Sequence, residues 1–187
     1  FIVIEPITTN STIRGTFQVW EYRQTNAQLL GVDFDASYVF NKTLQFNHQA
    51  SIVKGFDKIQ EEALINMPPV NTTNEIVYYS SKINNLRLAL QSEYVFRQNE
   101  FPNTDFEIYI PETETQEIVE VSSPPPAYHL LNFNSSIDFN FSEKSTLTVG
   151  FQITNMLNVS YRNYLNRMRF FAHDLGRNVS VNIKLNY

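Results

Sequence analysis

Basic and imidazole side chains are concentrated between residues 155 and 177 of this sequence. The group consists of Arg162, Arg167, Arg169, His173 and Arg177. Because guanidinium groups donate paired hydrogen bonds to carboxylates and phosphates, the cluster predicts contact with an anionic substrate. Two other interpretations stay open, since the same arginines can pair with acidic residues elsewhere in the chain or with anionic lipid head groups.

Aromatic residues lie within the same segment as the arginines. They are Tyr161, Tyr164, Phe170 and Phe171. Aromatic faces can stack on a ligand, but they can equally pack a loop against its neighbours. The candidate substrate-binding set is therefore Arg162, Tyr164, Arg167, Arg169 and His173.

An acidic segment covers residues 100–126 and ends in Pro124-Pro125-Pro126. It contains no basic residue and carries Glu100, Asp105, Glu107, Glu112, Glu114, Glu117 and Glu120. This composition predicts a long loop, which either gathers a cation or metal chelate or is simply solvated. The acidic residues show no regular metal-ligand spacing.

The sequence predicts no catalytic, cofactor or metal site. The three histidines are scattered and there is no cysteine, so the spacing of a metal site is missing. A hydrolase needs a nucleophile and a base that are positioned together. His129 and His173 have serines nearby in the sequence, but no motif joins them. We therefore expect a protein that is not an enzyme.

The elements that must position these residues are best seen at the end of the chain. Apolar or aromatic residues occupy every second position there, at Val179, Val181, Ile183, Leu185 and Tyr187. The intervening residues are polar. A period of two predicts a β-strand with one face in an apolar medium and the other face in water.

The same alternation recurs along the chain and predicts about eight strands. The predicted strands cover residues 1–5, 17–40, 44–52, 74–79, 86–97, 131–141, 147–153 and 177–187. Tight turns are predicted at 41–42, 81–85 and 142–145, and longer loops at 6–16, 55–70, 100–126 and 155–176. Short and long connections thus alternate, as they do in a transmembrane antiparallel up-and-down β-barrel.

Charged residues on the polar face of the predicted strands favour a water-filled interior. They include Asp33, Asp35, Arg87, Glu93, Arg97 and Asp138. Unpaired charges are costly in a dry core, so we expect these side chains to bond water or a passing substrate. His48 lies on the apolar face and predicts an interface or a partner contact.

Composition agrees with a barrel but does not prove one. Charged residues make up 18% and aromatic residues 14% of the 187 residues, which suits a lipid-facing surface with aromatic girdles. The net charge of −5 argues against nucleic acid as a partner. No apolar run reaches the roughly 18 residues of a transmembrane helix.

Short motifs in the last third of the chain resemble the end of a TonB-dependent outer-membrane receptor of the Bacteroidota type. They are Asn155-Met156-Leu157-Asn158, Tyr161-Arg162-Asn163-Tyr164-Leu165, Gly176-Arg177-Asn178 and the final Tyr187. Two earlier stretches, at residues 22–27 and 94–99, are also similar to strands of that family. Met156 departs from the pattern, because Leu or an aromatic residue is commoner there.

The resemblance implies that residues 1–187 form the C-terminal part of a plugged barrel of about 22 strands, supplying about the last eight. The chain, which begins within a strand, would lack the N-terminal plug, the earlier strands and the TonB box. Implied partners are TonB, outer-membrane lipid and lipopolysaccharide, the barrel-assembly machinery and a possible surface lipoprotein. The implied function is uptake of a ferric siderophore, metal chelate or oligosaccharide across the bacterial outer membrane.

The resemblance also gives the last strand a role in biogenesis. Val181, Ile183, Leu185 and Tyr187 look like the signal that the barrel-assembly machinery reads. An alternative remains open, since eight strands can close on their own. The chain would then be a small structural or adhesive outer-membrane barrel.

Overall fold

The computed structural model describes residues 1–110, 113–120, 122–142 and 145–187. The strands are β1 (Ile2–Thr12), β2 (Gly15–Gln24), β3 (Ala27–Asn41), β4 (Leu44–Asp57), β5 (Glu62–Ala63), β6 (Asn71–Ser80), β7 (Leu86–Val95), β8 (Phe106–Ile110), β9 (Thr115–Val119), β10 (Tyr128–Ser142), β11 (Ser145–Thr154) and β12 (Asn178–Asn186). A short 3-10 helix, η1, covers Arg167–Phe170. Within these ranges no helix is long and apolar enough to cross a membrane.

The main sheet, called the wall below, is antiparallel. Its strands lie in the order β12-β11-β10-β7-β6-β4-β3, and the two-residue β5 pairs with β4 beyond the end of this path. The described part of the wall thus contains seven long strands, which correspond to seven of the eight predicted ones, and the short β5, which lies in a predicted loop. The predicted all-β antiparallel fold is confirmed, because consecutive long strands pair with one another throughout.

One face of the wall is apolar. The pairing registers place side chains from seven strands in a single row across it, namely Tyr38, Phe46, Ile76, Leu90, Phe133, Ile153 and Val179. At the β12 edge, Ile183 is 71% exposed. Large apolar side chains are therefore open to the surroundings across this face, which is the pattern of a surface that needs an apolar solvent.

The other face of the wall is polar, and its side chains bond across the strands. Ser51 donates to Asp33 at 2.6 Å, and Gln49 donates to Asp35 at 2.7 Å. Thr148 donates to Asp138 at 2.8 Å. The carboxylates of the predicted polar rows therefore accept part of their hydrogen bonds within the sheet, from neighbours on the adjacent strand.

Short turns join the wall strands at one end. Between β3 and β4, the Asn41 side-chain oxygen accepts hydrogen bonds from the backbone N–H groups of Thr43 and Leu44, at 2.8 and 3.0 Å. This is the local bonding that makes Asn a turn former. The turns predicted near 41 and 83 are confirmed. Residues 143 and 144 of the third predicted turn lie outside the described ranges, between the ends of β10 and β11.

The prediction of a loop over residues 6–16 is wrong. Most of these residues belong to β1 and β2, which form a separate two-stranded sheet. Pro6 misled the prediction, but it stands at a register irregularity between positions 6 and 8, where a strand tolerates proline. Gly15, with φ at 121°, makes the tight tip of the hairpin possible.

The first two predicted strands also differ from the structure. Residues 1–5 lie in the β1–β2 hairpin instead of the wall, and the predicted strand 17–40 is interrupted at Thr25-Asn26, between β2 and β3. Residues 106–110 and 115–119, expected in a loop, form the β8–β9 hairpin. Local alternation cannot distinguish a wall strand from a strand of a projecting hairpin, because both have a period of two.

From β3 onward, short turns and long loops alternate between the long strands of the wall, as predicted. The long connections, which leave β4, β7 and β11 at the end opposite the turns, carry β5, the β8–β9 hairpin and η1. Within the described residues the wall is open, with β3 and β12 as its two edges. An eight-stranded barrel closed by these strands is therefore not favoured.

Candidate functional site: two clefts at the loop end of the wall

The connection between β11 and β12, called the basic loop below (155–177), is tied at its base by two asparagines. Asn155 is buried and its side chain bonds both the N–H and the carbonyl of Val159, at 2.8 and 2.9 Å. Asn158 accepts a 2.9 Å bond from the Arg177 N–H. Both asparagines have positive φ, at 50° and 54°, a conformation that asparagine tolerates better than most residues.

The middle of the basic loop is held by Asp174. Its carboxylate accepts hydrogen bonds from the Asn163 N–H at 2.6 Å and from the Asn166 side chain at 2.7 Å. The Asp174 N–H bonds the Tyr161 carbonyl at 2.9 Å. The loop has little regular secondary structure, so these side-chain bonds take the place of a backbone ladder.

The basic loop folds over the polar face of the wall. Val159 and Tyr161 pack against a small apolar cluster of Val95, Tyr128 and Leu130. The Tyr128 and Tyr161 rings lie 4.4 Å apart. The loop is therefore anchored above the inner, polar side of the wall, and it lies away from the apolar face.

Arg169 is the central cation of the site. Its guanidinium carbon lies 4.2 Å from the centre of the Tyr164 ring and 4.7 Å from that of Phe170. The same guanidinium donates a hydrogen bond to the Tyr164 carbonyl. Stacking on two rings fixes the plane of the guanidinium. Burial lowers the pKa of Arg169, and burial raises the pKa of Tyr164 despite the adjacent cation.

The first cleft, called the aromatic cleft, has a volume of about 360 Å³. Four separate segments form it: β2, the connection between β5 and β6, the acidic segment 100–126 and the basic loop. The main side chains are Phe17, Trp20, Phe101, Phe106, Tyr164, Arg167, Arg169 and Phe170. An apolar lining with a few convergent polar groups is typical of a ligand pocket.

The second cleft, called the basic cleft, has a volume of about 530 Å³. Arg162, Arg169 and His173 line it, opposite Glu120 and the Pro124-Pro125-Pro126 run. The Nε atoms of Arg162 and Arg169 are buried, and neither has a hydrogen-bond partner among the described residues. A buried donor without a partner is unfavourable, so these two guanidinium groups are incompletely hydrogen-bonded within the described residues.

The five residues predicted to bind substrate are brought together. Tyr164 and Arg167 line the aromatic cleft, Arg162 and His173 line the basic cleft, and Arg169 lines both. Phe171 is 80% exposed. Among the residues that the structure describes, no ion pair joins the arginines of the basic loop to the acidic segment. That segment is held in part by Ser122, whose N–H donates to Asp105 at 2.7 Å.

Asp57 is a structural centre that the sequence did not reveal. It ends β4, is 2% exposed and receives hydrogen bonds from Arg23 at 2.9 Å and Thr25 at 2.6 Å. The N–H groups of Ile59 and Gln60 also bond its carboxylate, at 2.8 and 3.2 Å. Burial alone raises the pKa of Asp57, but these hydrogen bonds outweigh it and hold the pKa well below the ordinary value.

Residues that could hold a metal ion do not cluster in the described ranges. No group of three or more His, Cys, Asp and Glu side chains is suitably placed there. His48 and His129 lie on the apolar face of the wall, while His173 lies in the basic cleft. The site as described therefore offers guanidinium groups, aromatic rings and a carboxylate.

Comparisons with known proteins give one informative result. No family model matches the sequence, and no curated protein matches it. A solved structure, copper transporter OprC, matches the whole chain with a TM-score of 0.71 at 15% sequence identity. The chain spans 26% of the length of that protein. At this identity the likeness shows the fold alone: the wall and its loops are arranged as in part of the OprC structure.

Proposed function

We propose that this chain forms part of the wall and mouth of a TonB-dependent transporter in the bacterial outer membrane. The observation that carries the proposal is the apolar face of the wall, opposite a polar face covered by the basic loop. A soluble sheet of this size would bury one face, but here apolar side chains remain exposed from β3 to β12. The fold match over the whole chain supports the same assignment.

The transport direction follows from the two ends of the wall. In outer-membrane barrels short turns face the periplasm and longer loops face the outside. The turn after β3 would thus be periplasmic, and the two clefts would open to the cell exterior. A nutrient captured at the clefts would pass along the polar face, where Asp33, Asp35 and Arg87 lie.

Further strands are part of the proposal, because both edges of the described wall are unpaired. An open edge in hydrocarbon leaves backbone N–H and C=O groups without partners, at several kcal/mol each. We assign the missing strands and a plug to other parts of a barrel of about 22 strands. TonB would act through that plug. We also propose that the transporter is of the Bacteroidota type and that it has a surface lipoprotein as a partner.

The last strand, β12, would be the part that the barrel-assembly machinery reads. Val181, Ile183 and Leu185 lie on the apolar face. Tyr187 directly follows the strand, and all four side chains are more than half exposed. A continuous apolar row at a free edge is accessible to an assembly factor before the barrel closes. Lipopolysaccharide would contact the wall near its loop end once assembly is complete.

The ligand would be an anion with a planar or ring-shaped part. Arg162 and Arg169 supply buried donors to a carboxylate or phosphate, and Tyr164 and Phe170 supply faces for stacking. A ferric siderophore, another anionic metal chelate or an acidic oligosaccharide meets both requirements. OprC is a copper transporter, and copper in the form of a chelate is a second candidate for the ligand of this chain.

The experiment that tests this function uses the complete protein that contains the chain, in its own cells. Cells would be given ferric citrate and a ferric catecholate with radioactive iron, with and without TonB. We expect TonB-dependent accumulation of at least one chelate and capture of the protein by the TonB C-terminal domain. Failure of TonB to bind, together with unchanged uptake in its absence, would remove the transporter assignment.

A further inference from the structure

A small polar patch interrupts the apolar face of the wall. It consists of His48 on β4, Asn74 on β6, Ser92 on β7 and His129 on β10, and is called the polar patch below. His48 is opposite Asn74, and Asn74 is opposite Ser92. His48 Nδ1 lies 2.8 Å from Asn74 Oδ1, and Ser92 Oγ lies 2.8 Å from His129 Nε2. Two hydrogen bonds thus order the patch, one between β4 and β6 and the other between β7 and β10.

Apolar rows enclose the polar patch along the strands. On the side of the turns lie Phe46, Ile76 and Leu90, which are paired in one row. On the side of the loops, Ala50, Thr72 and Tyr94 come first, in register with His129. Beyond them lie Ile52, Val70 and Phe96, with Phe96 bonded to Val70 through the backbone at 2.9 Å. The patch therefore lies inside the apolar band, short of its loop-side border, where head groups would be expected to begin.

Polar groups of the patch remain available after the internal bonds are made. Each histidine uses one ring nitrogen in its hydrogen bond within the patch, which leaves the second nitrogen of the ring for a partner. The Asn74 amide nitrogen and the Ser92 hydroxyl also lie on this face, and each can form a further hydrogen bond. In hydrocarbon such groups have no solvent partner, so a surface that supplies donors and acceptors would be bound there.

The chemistry of the patch identifies the occupant. It contains no lysine, arginine or carboxylate, so it lacks the cations that an anionic lipid head group would need. Its asparagine, serine and histidines both donate and accept hydrogen bonds, so the patch is complementary to itself. Ala36 and Ala50 lie beside it, and small residues allow two membrane-embedded surfaces to approach closely. A two-fold symmetric contact requires this self-complementarity.

We propose that the polar patch is the contact between two copies of this chain within the membrane. Asn74 and Ser92 of one copy would bond the corresponding groups of the second copy, and the apolar rows around them would pack at the rim. The proposal rests on the proposed membrane location of the apolar face. It adds a partner that neither transport nor barrel assembly requires.

A cross-linking experiment tests the contact, and the absence of cysteine in this chain makes it specific. The complete protein, with any cysteine outside this chain replaced, would carry Asn74→Cys and be treated in outer membranes with a short bis-maleimide. Facing sheets lie about 10 Å apart, within reach of the reagent. We expect a cross-linked homodimer, and none from the control Ile183→Cys at the β12 edge of the same face.

A second variant removes polarity while keeping the size of the side chain. Asn74→Leu should lower the fraction of dimer in detergent at least about tenfold, as measured by native mass spectrometry. Ile183→Val, at the β12 edge of the same face and outside the proposed contact, should leave the dimer unchanged. Heat-dependent mobility of each variant on a gel would show that its barrel has folded.

Two outcomes would overturn the inference. One is an Asn74→Cys protein that stays monomeric or cross-links to a different protein, and the other is a dimer that persists in Asn74→Leu. Failure of the proposed function is recognised separately. In that case a nitroxide at Ile183 would be accessible to a water-soluble relaxation reagent, whatever the oligomeric state.

Discussion

The Arg23 guanidinium and the Asp57 carboxylate lie 2.9 Å apart and join the β1–β2 hairpin to the loop end of the wall. The Asp57 side chain is 3% exposed and that of Arg23 is 23% exposed. Thr25 completes the junction from the short link between β2 and β3. The hairpin contributes Phe17 and Trp20 to the aromatic cleft, so this ion pair determines whether that cleft is complete.

Replacing Arg23 with Met should release the hairpin. Removing one partner leaves the buried carboxylate unpaired, which costs about 3 kcal/mol for a well-buried pair. We expect faster amide hydrogen exchange across β1 and β2 while the exchange of β10 and β11 stays constant. Arg14→Met, at the exposed hairpin tip, is the matched control. Equal protection of the hairpin in both variants would contradict the role of the ion pair.

The junction should also depend on pH in one direction. Because Asp57 lies beyond the apolar band and its pKa in the folded protein is below the ordinary value, its contribution is fully present above about pH 4. It weakens as the pH falls below that value and is lost once the carboxylate is protonated. Hydrogen exchange of the hairpin, followed downward from neutral pH, should show this loss in the native protein and not in Asp57→Asn.

Gly176 should not accept a larger side chain. A Cβ atom at this position would lie 2.8 Å from Asn158 Oδ1, the same oxygen that accepts the bond from the Arg177 N–H. Gly176→Ala should therefore loosen the base of the basic loop and raise its proteolytic cleavage rate. Asn155→Ala should also loosen the base of the loop. It should destabilise the folded loop by about 2–3 kcal/mol, because two buried hydrogen bonds are lost. Gly150→Ala, where the nearest atom is 3.6 Å away, is the control.

Anion binding should require the shape of the Arg169 side chain as well as its charge. Arg169→Lys keeps the cation but loses the Nε–H group and the flat surface stacked on Tyr164. We expect at least about a tenfold loss of affinity for a carboxylate-bearing chelate, measured by calorimetry on the complete protein. Arg167→Lys, on the exposed side of η1, should have a smaller effect. Equal losses in the two variants would mean that the clefts respond to charge alone.

Much of the wall could be predicted from a period of two. The alternation of β12, the polar parity that holds Asp33 and Asp35, and the turn at Asn41 all follow from local sequence. Grouping of the five candidate substrate residues was also predictable, since they are close in the chain. The packing of the basic loop against Val95 and Tyr128 could not be predicted, because these two residues come from distant strands.

Asp57 and the two projecting hairpins were missed for identifiable reasons. Asp57 lies in a stretch of mixed charges, and its partners Arg23 and Thr25 are more than thirty residues away. Pro6 and Asn10 suggested a loop where the backbone forms β1 with a register irregularity. His48 was correctly expected on the apolar face, but its pairing with Asn74 depends on the register between β4 and β6.

The most direct test of the central claim is a nitroxide scan along β12 in the complete protein, reconstituted in lipid. Labels at Val181, Ile183 and Leu185 should be accessible to oxygen and protected from a water-soluble nickel complex. Labels at Ser180, Asn182 and Lys184 should show the reverse, giving a period of two. If Ile183 and Leu185 were accessible to the nickel complex, or if the period were absent, the apolar face would not lie in lipid and the account would fail.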